Sequence, residues 1–226
     1  MIRIEDLTKH YGALQVLKGI NLQLEAGQVH GIVGENGAGK TTLFKCIAGL
    51  EDYGGSISGS FSPLKNHLGF LQTDLFFFSK ITGREYLQLL CNARQLPPTD
   101  LDAKNIFDLP LNQYASTYST GMKKKLALTA ILLQQNEAFI LDEPFNGVDI
   151  QSNMVITEII QKLRSLGKTV LISSHIFSTL NDTCDRIYLL KDGQFIRQAG
   201  RDGFADLEAE MRKFTVGDRV ERLGLG

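Results

Sequence analysis

Apolar and polar positions change period several times along this chain, and each change marks an element. Near the N-terminus IRIEDL and VLKGINLQL alternate, with Val16, Ile20, Leu22 and Leu24 on one side, which predicts strands with one buried face. VHGIVG, EAFILDE and KTVLISSH are short apolar runs without alternation, the pattern of strands buried on both faces, and HLGFL is a further strand candidate. LFKCIAGL, REYLQLLCNARQL, GMKKKLALTAILLQQ and IQSNMVITEIIQKLRSLG carry helical spacing. Pro97 and Pro98 stop the second of these helices, and Gly167 ends the last. DLDAKNIFDL predicts one more short helix, whereas GGSISGS reads as turn. DRIYLLKDGQFIRQAG predicts a hairpin about Asp192 and Gly193. From Asp202 onward, Phe204, Leu207, Met211 and Phe214 fall at helical spacing before the pattern fades. Short apolar strands alternating with helices predict an α/β fold with a parallel core. The expected organisation is one domain over residues 1–226, with a mostly helical insertion at about 73–130 and a helical tail at about 202–226.

Composition narrows the classes. The 226 residues are 43% hydrophobic and 22% charged, enough to bury a core without staples. Lys and Arg number 24 against 25 Asp and Glu, so the net charge of −1 excludes a purely electrostatic binder of nucleic acid or anionic lipid. There is no apolar run of about 18 residues to span a membrane. The first segment, MIRIEDLTKH, has no apolar stretch of the kind a signal peptide needs. Cys46, Cys91 and Cys184 are far apart and in no ligand spacing, which predicts reduced, buried thiols in a cytosolic protein.

The chemistry concentrates at two places. Gly34, Gly39, Lys40 and Thr41 satisfy the pattern G-x-x-x-x-G-K-[ST], between a predicted strand and a predicted helix. The loop of Gly34, Glu35, Asn36, Gly37, Ala38 and Gly39 can turn successive N–H groups toward a phosphate, and the helix N-terminus adds positive potential. Lys40 can reach the β- and γ-phosphates, and the Thr41 hydroxyl, followed by Thr42, can ligate Mg²⁺. The competing reading is a Gly-rich turn with an incidental lysine. Well downstream, the apolar strand AFIL delivers Asp142 beside such a loop as a Mg²⁺-holding carboxylate. Glu143 follows and points to the other side of the strand end, where it could polarise an attacking water.

With these motifs in place, YSTGMKKK resembles the signature motif of ATP-binding-cassette (ABC) ATPases, and ISSH resembles their histidine switch. The resemblance extends from residue 1 to about 200, with the motifs in the family's order. It implies a P-loop NTPase core with a mixed or antiparallel β subdomain and a helical insertion, and it implies ATP and Mg²⁺ as ligands. By position, Tyr11 resembles the aromatic that stacks on adenine, its alternative being a core tyrosine at a strand end. Ser119 and Gly121 resemble the signature residues that bind the γ-phosphate held by the opposite subunit, and Ser119 can also cap the helix that follows. Asp149 matches the loop that crosses between subunits, and His175 the histidine that contacts the γ-phosphate and attacking water.

Two departures stand out. Tyr118-Ser119-Thr120-Gly121-Met122 replaces the usual L-S-G-G-Q, a variant that resembles ATPase subunits of type-2 exporters. At the Mg²⁺-sensing glutamine, flanking spacing puts Thr73 in register while the metal's chemistry favours Gln72, and Gln72 is taken as the contact. Phe76, Phe77 and Phe78 lie where the family receives a transporter's coupling helix, with at least one ring expected in the core. Lys123, Lys124 and Lys125 are expected on a solvated face. The resemblance implies an ATP-hydrolysing subunit that dimerises, acts on a separate membrane permease at the inner face of the cell membrane, and most resembles exporters. The alternative is a soluble ABC ATPase acting on nucleic acid or ribosomes, although no nucleic-acid partner is expected from the balanced charge.

Overall fold

The central feature of the computed structural model, which describes residues 1–97 and 99–215 and side chains through 213, is a six-stranded sheet. Its strands are β3 (Val29–Val33), β5 (Leu68–Leu71), β6 (Ala138–Leu141), β7 (Thr169–Ser173), β8 (Arg186–Lys191) and β9 (Gln194–Gly200), in the order β5-β6-β7-β3-β8-β9. All neighbours are parallel except β8 and β9, which form the expected antiparallel hairpin about Asp192 and Gly193. The unalternating apolar runs are explained by burial on both faces. Val29 and Val33 of β3, Phe139 and Leu141 of β6, and Val170 and Ile172 of β7 enter one core. Ile32, Ile140 and Leu171, one position out of phase, enter the other.

Helices cover each face. The first core lies under α3 (Thr120–Leu133), α4 (Ile150–Ser165), α5 (Phe177–Thr183) and α6 (Phe204–Thr215). The second holds α1 (Lys40–Ile47), whose Leu43 and Phe44 are fully buried against a three-stranded antiparallel sheet ordered β2-β1-β4. That sheet comprises β1 (Ile2–Tyr11), β2 (Leu14–Leu24) and β4 (Gly54–Gly59). A third core joins α2 (Gly83–Ala93) to α3 through Leu87, Leu126 and Ala130. A capping box starts α2, with Thr82 Oγ1 accepting from Glu85 N at 3.2 Å and Thr82 N donating to Glu85 Oε2 at 2.8 Å.

Three expectations are corrected here. Residues 54–59 form an edge strand on β1 because pairing available in the tertiary structure outweighs their weak strand preference. The stretch 100–109 makes turns instead of a helix. Asp100 Oδ1 accepts from the N–H groups of Asp102 and Ala103, and Asn105 bonds both backbone groups of Leu109, so short polar side chains claim the amides a helix would use. The solvated face expected at Lys123–Lys125 fails at Lys124, which is 3% exposed, because it lies one turn before the fully buried Leu128 on the core face of α3. Pro98, part of the expected helix stop, and the tail beyond Thr215 lie outside the described residues, as does the side chain of Phe214.

Beneath the junction of the two sheets, His30 is completely buried. Its Nε2 accepts from Glu25 N at 3.0 Å, so Nδ1 carries the proton and faces Tyr188 Oη at 3.4 Å. Burial lowers its pKa from 6.5 to about 4. Between those values the unfolded chain binds a proton that the native chain refuses, so stability falls as pH drops through that window. The loss should approach roughly 3 kcal/mol at its acid end. Denaturation curves recorded from pH 7 to 4 should show this slope in the parent and a flatter one in His30→Gln.

Candidate functional site

A cavity of about 1090 Å³ lies at the carboxyl ends of the parallel strands, over the Gly-rich loop. This is the position expected of a ligand crevice in an open α/β sheet. Residues 34–42 line it together with Thr73, Asp142, Glu143, Asn146 and His175. The loop owes its shape to two glycines. Gly39 is the N-cap of α1 at φ 108, a conformation closed to most L side chains. A Cβ on Gly34 would come within 2.4 Å of Leu190 O, so only glycine lets the loop pass the end of β8.

Lys40, 7% exposed, donates from Nζ to Gly34 O at 2.7 Å and Glu35 O at 3.2 Å. Burial lowers its pKa, while the charges of Glu143 and Asp142 act to raise it. The ammonium thus stands at the loop's own carbonyls, facing two carboxylates.

Asp142 is 1% exposed at the end of β6 and both its oxygens are engaged. Oδ1 accepts from Ser173 Oγ at 2.6 Å, and Oδ2 accepts from Thr41 Oγ1 at 2.7 Å. The pair Thr41 and Asp142 brings a hydroxyl and a carboxylate together next to the phosphate loop. These are hard oxygen donors, few in number, of the kind Mg²⁺ uses alongside phosphate oxygens.

Glu143 adopts φ 51, in the left-handed region that a non-glycine residue rarely enters. Its N–H donates to Ser173 Oγ at 2.9 Å. Its carboxylate lies 2.8 Å from His175 Nδ1 and accepts from His175 N at 3.4 Å. The turn, more than strand alternation, therefore separates the two acidic side chains. Asp142 faces Thr41 and Ser173, while Glu143 faces His175.

Other sequence-derived candidates lie elsewhere. Ser119 caps α3, accepting from Met122 N at 3.2 Å, and a Cβ on Gly121 would come within 2.7 Å of Gly147 O. Asp149 caps α4 through Ser152 N at 2.8 Å and pairs with Lys125 Nζ at 3.2 Å. The Ser152 amide and hydroxyl, followed by Lys125, hold its carboxyl far below the usual range. Tyr11 is 43% exposed with Lys9 Nζ 4.9 Å from its ring centroid. None of these four lines the cavity. Gln72 does not line it either. Thr73 does, since the chain leaves β5 at Leu71 in the register that flanking spacing implied.

Two contributors escaped the sequence reading. Ser173 sits within VLISS with no motif of its own, although a hydroxyl one strand away from a buried carboxylate is the partner such a group needs. Lys124 donates from Nζ to Glu143 O and Asn146 O, each at 2.7 Å. Its spacing four residues before Leu128 was the available signal.

Comparison with known proteins agrees with this architecture. A family model described as ABC transporter matches residues 17–146. The bacitracin transport ATP-binding protein BcrA of Enterococcus faecalis is 31% identical over 96% of this chain and 74% of its own length. The aliphatic sulfonates import ATP-binding protein SsuB of Pseudomonas fluorescens is 32% identical over 85% of this chain and 74% of its own length. A dimeric ATP-binding cassette solved in a post-hydrolysis state with ADP and Pi shares the fold at TM-score 0.81 and 21% identity, covering 89% of this chain and 99% of that one.

Ser173→Ala removes the donor to Asp142 Oδ1 and the acceptor for Glu143 N together. Leaving a buried carboxylate oxygen unpartnered should lower stability by about 1–3 kcal/mol. Equilibrium denaturation measures this, and unchanged stability would mean that Ser173 does not hold the carboxylate.

Proposed function

This chain belongs to the ABC transporter family as an ATP-binding, ATP-hydrolysing subunit, and on that premise we propose how its residues divide the work. One observation carries the reading: the Thr41–Asp142 pair and the Glu143–His175 pair open into one cavity above the Gly-rich loop. The loop's N–H groups and Lys40 bind the triphosphate. Thr41 and Asp142 would hold Mg²⁺, and Thr73 lines the same cavity. When bound, that ion neutralises phosphate oxygens. Glu143 accepts a proton from, and orients, the water that attacks the γ-phosphate. With Nδ1 donating to Glu143, His175 keeps Nε2 for the phosphate and fixes the carboxylate's direction.

The working unit is two chains enclosing two ATP molecules, each site borrowing Ser119 and Gly121 from the partner. The placement of both residues outside their own cavity supports this arrangement, and Asp149 lies on the loop that would cross between subunits. Tyr11 carries the adenine. The described residues include no helix long and apolar enough to cross a membrane. The likeness to ATP-binding proteins of transport systems supports assigning movement of cargo to a separate permease, with this subunit on the inner face of the membrane. Phe76 and Phe78, exposed at 76% and 58%, supply the aromatic surface for that partner, while Phe77 between them packs inward. Residues 1–226 act as one domain, with about 73–130 as its helical insertion. The Y-S-x-G-M signature and the likeness to the bacitracin transport protein support export. Likeness to a sulfonate import protein points the other way. Substrate accumulation in inverted vesicles holding the chain and its permease tests the direction.

Glu143→Gln should bind ATP like the parent, lose turnover by at least about a hundredfold, and accumulate ATP-bound dimers on a sizing column. Parental turnover in this variant would remove Glu143 from the chemistry. Lys40→Ala should weaken ATP binding in calorimetry, since the phosphates lose a cation in a partly desolvated site.

Mixed dimers test the shared sites. Ser119→Arg in one chain and Lys40→Ala in the other damage the same site twice and leave the opposite site whole. Both changes in one chain damage both sites. The first dimer should therefore keep hydrolysing ATP while the second falls well below it, and equal rates would exclude sharing.

A further inference from the structure

Lys124 is a buried lysine next to the cavity, yet it lines none of it. Its Nζ sits 2.7 Å from both Glu143 O and Asn146 O, the carbonyls at the two ends of the turn that follows β6. Within that turn Asn146 N donates to Glu143 O at 3.2 Å. A short turn that begins with a non-glycine residue at φ 51 persists only if its surroundings hold it. Lys124 supplies that hold from below, and Ser173 Oγ supplies it from the neighbouring strand by accepting Glu143 N. The side chain that results points Glu143 at His175.

A long apolar residue would fill the same space on the core face of α3. It would offer the two carbonyls no donor, however. The functional content of Lys124 is thus its N–H groups, positioned by a stem that packs as a hydrophobe. Burial lowers its pKa, and the charges of Glu143 and Asp142 oppose that shift.

The location has a second meaning. Ser119 caps the N-terminus of the helix that carries Lys124, little more than one turn away. The next residue, Lys125, reaches Asp149 at 3.2 Å and Ser152 Oγ at 3.1 Å. One rigid helix therefore presents Ser119 at its end and grips both ends of residues 143–149.

We propose that Lys124 is a positioning residue for ATP hydrolysis, clamping the Glu143–Asn146 turn so that the Glu143 carboxylate is aimed, and tying that aim to the helix that Ser119 caps. This rests on the reading of Glu143 as the residue that orients water. Lys124→Met keeps the length and apolar stem without the donors, and Lys124→Gln keeps donors. Steady-state turnover at saturating Mg²⁺ and ATP, ATP affinity by calorimetry, and thermal midpoint are measured on the full chain.

Lys124→Met should lose at least about tenfold in kcat while ATP affinity stays within about threefold, and Lys124→Gln should recover most of the loss. In a Glu143→Gln background, adding Lys124→Met should lower the residual rate no further, because both changes remove one function. A lysine that only stabilises the fold would lower the thermal midpoint and leave kcat per folded molecule unchanged, and that result overturns the proposal. So does an equal loss in the Met and Gln variants. Should Lys124→Met not fold, Lys124→Leu, shorter and also without donors, takes its place under the same criteria. If Glu143→Gln is inactive but the donor-free variants turn over at the parental rate, the Lys124 proposal alone fails. If Glu143→Gln hydrolyses ATP normally, the reading beneath it fails first.

Discussion

A carboxylate removed from water must have its oxygens satisfied, and Asp142 meets that demand with hydroxyls from two other elements. Thr41 comes from the first turn of α1, and Ser173 from the last position of β7. The two bonds can form only if the ends of β6 and β7 are level and α1 starts directly above them. Sheet order provides this, since β6 neighbours β7 and β7 neighbours the strand that feeds the Gly-rich loop. Paired cores on the two faces of that sheet then fix the level at which each strand stops. Placement of the acidic group and packing of the sheet are thus one problem with one solution.

The sequence was most legible where a single residue type is required by local geometry or by direct chemistry. Gly39 needs its positive φ, Lys40 and Thr41 follow it at fixed offsets, and unalternating apolar runs marked the buried strands. Legibility failed where the partner lies far along the chain. Ser173 matters because β7 lies beside β6, and β4 is a strand because β1 offers it an edge, neither of which is visible locally. Lys124 was misjudged because charge suggested water, whereas helical phase put its stem in the core and tertiary structure supplied carbonyls for its tip. At Gln72 and Thr73 spacing and ligand chemistry point to different residues, and of the two Thr73 lines the cavity.

The helical part between β5 and α3 packs into an apolar cluster completed by α3, and Phe77 and Phe107 pack against both this cluster and the sheet's core. The ring of Phe77 lies 4.7 Å, centroid to centroid, from that of Tyr86. Phe76 and Phe78, on either side of it, form an edge-to-face pair in solvent at 5.3 Å. A force applied to the exposed pair is therefore delivered through the backbone to a ring wedged between two packed bodies. Such a geometry transmits displacement better than a loop free of the core would.

The order of strands in the central sheet also bears on how the molecule is made. β3 hydrogen-bonds only to β7 and β8 among the described strands, and Val29 meets Val170, roughly 140 residues later. On the ribosome, the strand that precedes the Gly-rich loop is finished long before either neighbour has been synthesised. The antiparallel pair β1 and β2, by contrast, can close as soon as residue 24 has emerged. A chain ending before β7 would carry the complete Gly-rich loop while β3 lacked both of its sheet neighbours. The strand that feeds the loop gains its support only through contacts distant in sequence, when β7 and β8 insert on both sides of β3.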